Sequence, residues 1–291
     1  MVKRGIILNL SARKASKINL ESITSIFNKI LPDAKIYIVK KSFDKTVQRA
    51  VKDGCKILCA AGGDGTVSGV ASWCVKNNLA LGVLPLGTMN NFSKDLKVPQ
   101  DIKKACKVIS KNKVKKIDYA TINNDLFINN SSIGVYARYV HKREKHQKIL
   151  GKIAAYITSL FSTLAMFSIL DVTLQCDGET KSLKTPVIFI SNNDYGIDKT
   201  FSIRRKSLNS GLLTVNILIH KGIGGVFKTI IGIFTSHKIT KRYKSFHTDE
   251  ILINIKTKNN KITVAKDGEI ISYRTPLQYK MHKNKLKVIA P

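Results

Sequence analysis

The sequence predicts an α/β domain on a doubly wound parallel sheet, followed by an antiparallel β domain of sandwich type. Three observations carry this. Short apolar runs alternate with helical stripes over the first part of the chain. From about Val114 the pattern becomes strands and turns. A glycine-rich turn, Gly62-Gly63-Asp64-Gly65-Thr66, falls where a strand gives way to a helix.

Ile6–Asn9 reads as the first strand, and Leu20, Ile23, Ile26 and Ile30 form a helical stripe that ends before Pro32. Lys35–Val39 is a strand, and Asp44–Lys52 a helix stopped at Gly54. The apolar run Lys56–Ala61 leads into the glycine-rich turn. Behind it, Val67, Val70, Ala71, Cys74 and Val75 keep helical spacing. Leu79–Leu84 is the next strand, and Asp101–Ser110 a helix capped by Asp101. The second part gives strands at Lys115–Asn123, Leu126–Asn130, Leu170–Cys176, Thr185–Ser191, Leu212–His220, Glu250–Lys256 and Lys261–Ala265. Turns are expected at Asp177-Gly178 and Asn259-Asn260, and the end reads as two strands, Leu277–Met281 and Leu286–Ile289. The expected division is 1–115 and 116–274, with 275–291 a candidate to rejoin the first domain.

The glycine-rich turn has a chemical reading. Glycines let the backbone bend sharply and let a ligand approach the main chain. Thr66 is expected as the helix N-cap, and a helix start offers free N–H groups to a phosphate. Asp64, an acid in an anion-binding turn, fits contact with a metal ion or a hydroxyl proton. A purely structural strand–helix turn remains the plain alternative.

Of the chain's 291 residues, 50 are basic and 19 acidic, a net charge of +31. The excess is spread evenly: 23 basic against 8 acidic residues up to Ala120, and 27 against 11 afterwards. Such a field favours anionic surfaces in general. Only nine of the basic residues are Arg, so bidentate reading of bases is poorly supplied and no specific nucleic acid is expected. The five cysteines form no C-x-x-C pair, and Cys59, Cys74 and Cys106 read as core residues suited to a reducing cytosol. The apolar run at the N-terminus is too short for a signal peptide. Ile149–Leu170 is nearly long enough to span a bilayer but contains Lys152. A packed helix, an interfacial helix and a span are all open readings. Ile223–Ser236 reads as a shorter helix. The basic runs His141–Arg143 and Lys238–Lys244 are solvated faces or headgroup contacts.

Three further stretches join the glycine-rich turn: Asn9-Leu10-Ser11-Ala12-Arg13-Lys14, Pro85-Leu86-Gly87-Thr88-Met89-Asn90-Asn91-Phe92 and Ala265-Lys266-Asp267-Gly268-Glu269. In this order and at these separations they resemble the soluble lipid kinases, the bacterial diacylglycerol kinases and their sphingosine kinase relatives. The match runs from Ile6 to about Val288 and includes Lys116-Ile117-Asp118, Phe127-Ile128-Asn129-Asn130 and Ser132-Ile133-Gly134. The resemblance implies an NAD kinase-like nucleotide-binding domain, a β-sandwich domain with an inserted helix near 149–168, and a cleft between them. It implies ATP and Mg²⁺ as cofactors. Asn9, Ser11 and Lys14 would form the first phosphate loop, Gly62, Gly63, Gly65 and Thr66 the second, and Gly87, Thr88 and Asn90 the third. For Asn9 and Asn90, turn-forming side-chain hydrogen bonds are the plain alternative. Asp64 and Glu269 match the family's catalytic acids, and which of them is the general base stays open.

The implied reaction moves the γ-phosphoryl of ATP to a lipid hydroxyl, most simply that of diacylglycerol. The implied setting is a bacterial cytoplasm, with peripheral attachment to an anionic membrane; a homodimer is compatible with the sequence. Leu10 and Ala12 stand where Pro and Gly are usual, and Asn91 replaces a common aspartate. Ser210 stands where an aspartate that helps hold a structural Mg²⁺ is common, so that second metal site is expected to be absent or weak. Two alternatives are an NAD kinase-like enzyme, which shares the Gly-Gly-Asp-Gly turn, and a catalytically silent protein that binds membrane or nucleic acid through its charge.

Overall fold

The computed structural model describes residues 3–10, 19–134, 169–197, 203–218 and 243–291. The expected helices at 149–170 and 223–236, the basic runs at 141–143 and 238–242, and Ser11 and Lys14 lie outside these residues, apart from Ile169 and Leu170. In chain order the first elements are β1 (Arg4–Leu8), α1 (Leu20–Ile30), β2 (Ala34–Ile38), α2 (Phe43–Lys52), β3 (Ile57–Gly62), α3 (Asp64–Lys76) and β4 (Ala80–Pro85). There follow α4 (Asn91–Asp95), α5 (Ile102–Ser110), β5 (Val114–Ile122), β6 (Asp125–Phe127), β7 (Asn130–Gly134), β8 (Leu170–Cys176), β9 (Glu179–Thr185) and β10 (Val187–Asn192). The rest are β11 (Tyr195–Ile197), β12 (Ile203–Arg205), β13 (Leu213–Leu218), β14 (Tyr243–Thr248), β15 (Glu250–Ile255), β16 (Lys261–Lys266), β17 (Glu269–Arg274) and β18 (Leu277–Ile289).

The chain divides into two compact units. The first comprises 1–119, 195–211 and 282–291. Its parallel strands run in the order β2-β1-β3-β4, with the far end of β18 parallel to β4. Every residue of β1, β3 and β4 is buried, as a strand covered on both faces requires. The helices start where their caps dictate: Asn19, Ser42 and Asp101 each accept a backbone N–H of the first turn. Their apolar faces, Ile23 and Phe27 on α1 and Ala105, Cys106 and Ile109 on α5, are buried.

The second unit comprises 120–194 and 212–281. One antiparallel sheet has the order β14-β13-β10-β7-β16-β17. The other joins the first residues of β18 to β15, β8 and β9, again antiparallel. Phe127, Ile133, Ile190, Val215, Ile253 and Tyr279 from the two sheets share one buried core, which makes the unit a sandwich. Its tight hairpins turn at Asn123-Asn124, Asp177-Gly178 and Asp267-Gly268, both residues of each pair at positive φ.

Three expectations are corrected. The end of the chain is one strand of 13 residues. Its polar stretch His282–Lys285 continues the strand because Asp118 binds the Asn284 N–H. Residues 195–211, read as part of the second domain, belong with the first unit. β7 and β9 (sequences NSSIG and ETKSLKT) are strands despite their polarity, because each pairs along its length with a neighbour.

Candidate active site

β3 and β4 pair so that Gly62 faces Pro85, and the Leu86 N–H donates to the Gly62 carbonyl at 3.0 Å. The loops after these two strands therefore leave side by side. They touch: a Cβ on Gly87 would lie 2.4 Å from the Gly63 Cα and 2.8 Å from Asn90 Oδ1. Only a residue without a side chain permits that approach. β1 ends at the same level, with the Asn9 N–H donating to the Ala61 carbonyl at 3.0 Å. Loops from the carboxyl ends of three adjacent parallel strands thus converge, where ligands bind open α/β sheets.

Asn9 Nδ2 donates to Thr66 Oγ1 at 3.1 Å. Thr66 is not the helix cap. α3 starts at Asp64 with extended Gly63 as its N-cap, and Thr66 lies buried in the first turn. Its side chain fills the space where a Gly62 Cβ would sit, 2.5 Å from Oγ1. Because Gly63 brings no capping side chain, the first-turn N–H groups of this 13-residue helix are left for an anionic ligand. Asn90, in the left-handed region at φ 52°, accepts the Gly87 N–H on Oδ1 at 2.9 Å and donates from Nδ2 to Gln100 at 3.2 Å. Both asparagines brace the loops. Thr88 is exposed at the tip of the third loop.

Asp64 joins two of the loops. Its oxygens accept the N–H groups of Asn91 and Phe92, each at 3.1 Å, and so cap α4, a helix the sequence did not announce. The far end of α4 is held by Arg205, whose Nε lies 3.3 Å from Asp95 Oδ2. That guanidinium also sits over the rings of Phe92 and Tyr195 and donates to the Tyr195 hydroxyl at 2.7 Å. No motif marked Arg205; a buried arginine beside a short helix has no signature in sequence.

Glu269 lies in the second unit, exposed, at the head of β17 and opposite Lys266. The hairpin that carries it is tied down by Asp267, whose carboxylate accepts three backbone N–H groups: Ile128 at 2.9 Å, Asn129 at 2.8 Å and Asn130 at 3.2 Å. Asn192 Nδ2 donates to the Ile128 carbonyl at 2.9 Å and pins the same segment. In sequence Asp267 is marked as part of the fourth motif; its task here depends on a segment 137 to 139 residues away.

The turn bearing Ser210 is held by hydrogen bonds. Asp118, 1% exposed, accepts the Gly211 N–H on Oδ2 and the Asn284 N–H on Oδ1, both at 2.7 Å. Asn209 Nδ2 donates to the Lys116 carbonyl at 2.9 Å. Among the described residues no three His, Cys, Asp or Glu side chains lie close enough to share an ion. Ser210 offers a neutral hydroxyl in place of a carboxylate, a poor ligand for a tightly held structural Mg²⁺.

Residues 4–122 match the family described as the diacylglycerol kinase catalytic domain. A diacylglycerol kinase of Staphylococcus aureus is 29% identical over 277 residues, 88% of this chain and 86% of that protein. An uncharacterized Synechocystis protein is 27% identical over 284 residues, 95% of this chain; the chain spans 64% of that relative's length. Two solved Bacillus anthracis structures share the fold over the whole chain. One superposes with a TM-score of 0.76 at 24% identity, covering 98% of that chain. The other, of a diacylglycerol kinase, has a TM-score of 0.70 at 20% identity and 97% coverage. The catalytic domain and its relatives define a lipid kinase. Over residues 4–122 the chain thus resembles the diacylglycerol kinase catalytic domain, and the likeness to the Staphylococcus aureus relative extends over most of its length.

Proposed function

We propose that this protein transfers the γ-phosphoryl group of ATP to the hydroxyl of a membrane lipid, diacylglycerol in the simplest case. One observation carries the reading: the loops after β3 and β4 touch at Gly63 and Gly87, at an uncapped helix start with Asp64 beside them. The contact leaves room for a polyphosphate to lie against main-chain N–H groups. The reaction needs positioning and charge neutralisation more than covalent help.

In this reading the N–H groups at the start of α3 and in the third loop hold the phosphates. Asn9 and Asn90 keep those loops in register, and Ser11 and Lys14 complete the first loop. Mg²⁺, arriving with ATP, offsets charge on the transferring phosphoryl group. Asp64 or Glu269 accepts the proton of the attacking lipid hydroxyl, a role open to a carboxylate within hydrogen-bond reach of it. The Asp64 contacts with Asn91 and Phe92 favour a positioning share for this acid, leaving Glu269 as the better candidate base. The net charge of +31 suits peripheral adsorption to an anionic bilayer.

The test is labelled ATP with a panel of lipids in mixed micelles, followed by chromatography of the product. Diacylglycerol is expected to yield phosphatidic acid. Phosphorylation of NAD, or turnover of no acceptor at all, would overturn the reading.

A further inference from the structure

We infer that the lysine face formed by α5, the turn after it and the adjoining ends of β5 and β18 is where this protein rests on an anionic bilayer. The inference deepens the function proposed above and rests on it for the choice of a lipid partner. Lysines are far denser here than elsewhere: seven fall within residues 103–116, against 41 in 291, and no acid occurs from 102 to 117.

Lys103, Lys104, Lys107 and Lys111 are exposed and fall within about 100° of arc at 3.6 residues per turn. Ala105, Cys106 and Ile109 face the core from the opposite side. Lys113, Lys115 and Lys116 follow, exposed, with Val114 among them at 49% exposure. The Ala290 N–H donates to the Lys113 carbonyl at 3.3 Å, so the end of β18 with Lys285 and Lys287 runs alongside. Among the described residues no ion pair involves a lysine of this face. Such pairs lie at Arg4–Asp33, whose guanidinium also donates to Asn112 in the turn after α5, at Lys35–Asp53, Lys181–Glu179, Arg205–Asp95 and Lys280–Glu250, and at His247–Asp194 when the imidazole is protonated. The face is therefore an uncompensated positive field that an anionic partner would relieve.

Two features favour a bilayer over a nucleic acid. Residues 101–118 contain no arginine and no aromatic ring, hence neither a fork for base edges nor a platform for stacking. Lysines on flexible stems instead meet mobile headgroup phosphates as point charges. Each lysine engaged at an anionic leaflet raises partition by about fivefold.

The test compares two charge-matched variants of the full chain. One carries Lys103→Gln, Lys104→Gln, Lys107→Gln and Lys111→Gln. The control carries Lys184→Gln, Lys256→Gln, Lys258→Gln and Lys261→Gln, all exposed on the second unit. Sedimentation with vesicles of equal parts phosphatidylglycerol and phosphatidylcholine reads the partition. The α5 variant is expected to lose at least about tenfold and the control less than about threefold, with Lys113→Gln/Lys115→Gln/Lys116→Gln falling on the α5 side. Unfolding midpoints of all variants should match the wild type, and phosphorylation of diacylglycerol in neutral micelles should be unchanged. Equal losses in both quadruple variants, no wild-type binding, or single-stranded RNA stripping the protein from vesicles would each overturn the surface assignment. Failure to phosphorylate any lipid in micelles would sink the proposed function, while the vesicle comparison would still read the surface.

Discussion

Replacing Gly87 by Ala tests whether the second and third loops form one receptor. The new Cβ would lie 2.4 Å from the Gly63 Cα, 2.8 Å from Asn90 Oδ1 and 3.2 Å from the Gly63 nitrogen. Ordinary contact begins near 3.4 Å, so the loops must part by roughly 1 Å. Neither side gives way cheaply. Gly63 is tied into the strand–helix turn by the Gly62–Pro85 pairing and the Leu86 bond, and Gly87 is held by Asn90. Overpacking of this kind costs about 1–3 kcal/mol, and loss of the Gly87–Asn90 bond about 1 kcal/mol more. For a unit of this size that is a fall of about 5–10 °C in unfolding temperature. Trp73, the single tryptophan, lies on α3 and reports the first unit by fluorescence. Nucleotide affinity, read as the shift of the same transition by MgADP, should fall at least about tenfold, since 1.4 kcal/mol suffices for that. Gly178→Ala is the control: at φ +77 with nothing within 4 Å of its Cβ, it should cost about 1–2 kcal/mol of backbone strain and leave nucleotide binding intact. A Gly87→Ala protein with wild-type stability and nucleotide affinity would refute the reasoning.

Further outcomes are expected at other positions. Asp64→Asn and Glu269→Gln should each lose at least about a hundredfold in turnover, with the Trp73 transition moved by no more than about 3 °C; near-normal rates in both would mean the acids are misassigned. Asp267→Ala removes the acceptor of three backbone N–H groups and should destabilise the second unit by about 3 kcal/mol in urea unfolding, Asp267→Asn by less. Prolonged dialysis against EDTA should leave the unfolding temperature unchanged, and metal analysis should find no stoichiometric magnesium; a bound ion at Ser210 would contradict the Asp118 account. Burial pushes the thiols of Cys59 and Cys106 up to about 12 from an ordinary 9.0. Above pH 9 the unfolded chain ionises them and the folded one resists, so their contribution is intact below that pH and is lost as pH rises. The loss is at most about 1.4 kcal/mol per pH unit for each thiol. The urea midpoint should fall from pH 8 to 10.5, less steeply in Cys59→Ala/Cys106→Ala; identical slopes would exclude the thiols.

Much of this protein was legible from local pattern. The strands β1, β3 and β4 and the helices α1, α2 and α5 announce themselves through apolar runs, helical stripes and caps such as Asp101, because those signals act within a few residues. The hairpin at Asp177-Gly178 was equally visible, since the pair tolerates positive φ. Other features depend on partners distant along the chain. Polar β7 gains strand form from β10 and β16, both far along the chain, whereas β9 takes its own from β8 across the adjacent Asp177-Gly178 hairpin. The short helix α4 exists where Asp64, 27 residues earlier, caps it and Arg205 holds its far end. Asp118 holds the Ser210 turn only because folding delivers Gly211 and Asn284 to its two oxygens. Periodicity and turn chemistry are written residue by residue. A buried carboxylate's partners are chosen by the packed chain, where an unmatched charge is too costly to leave.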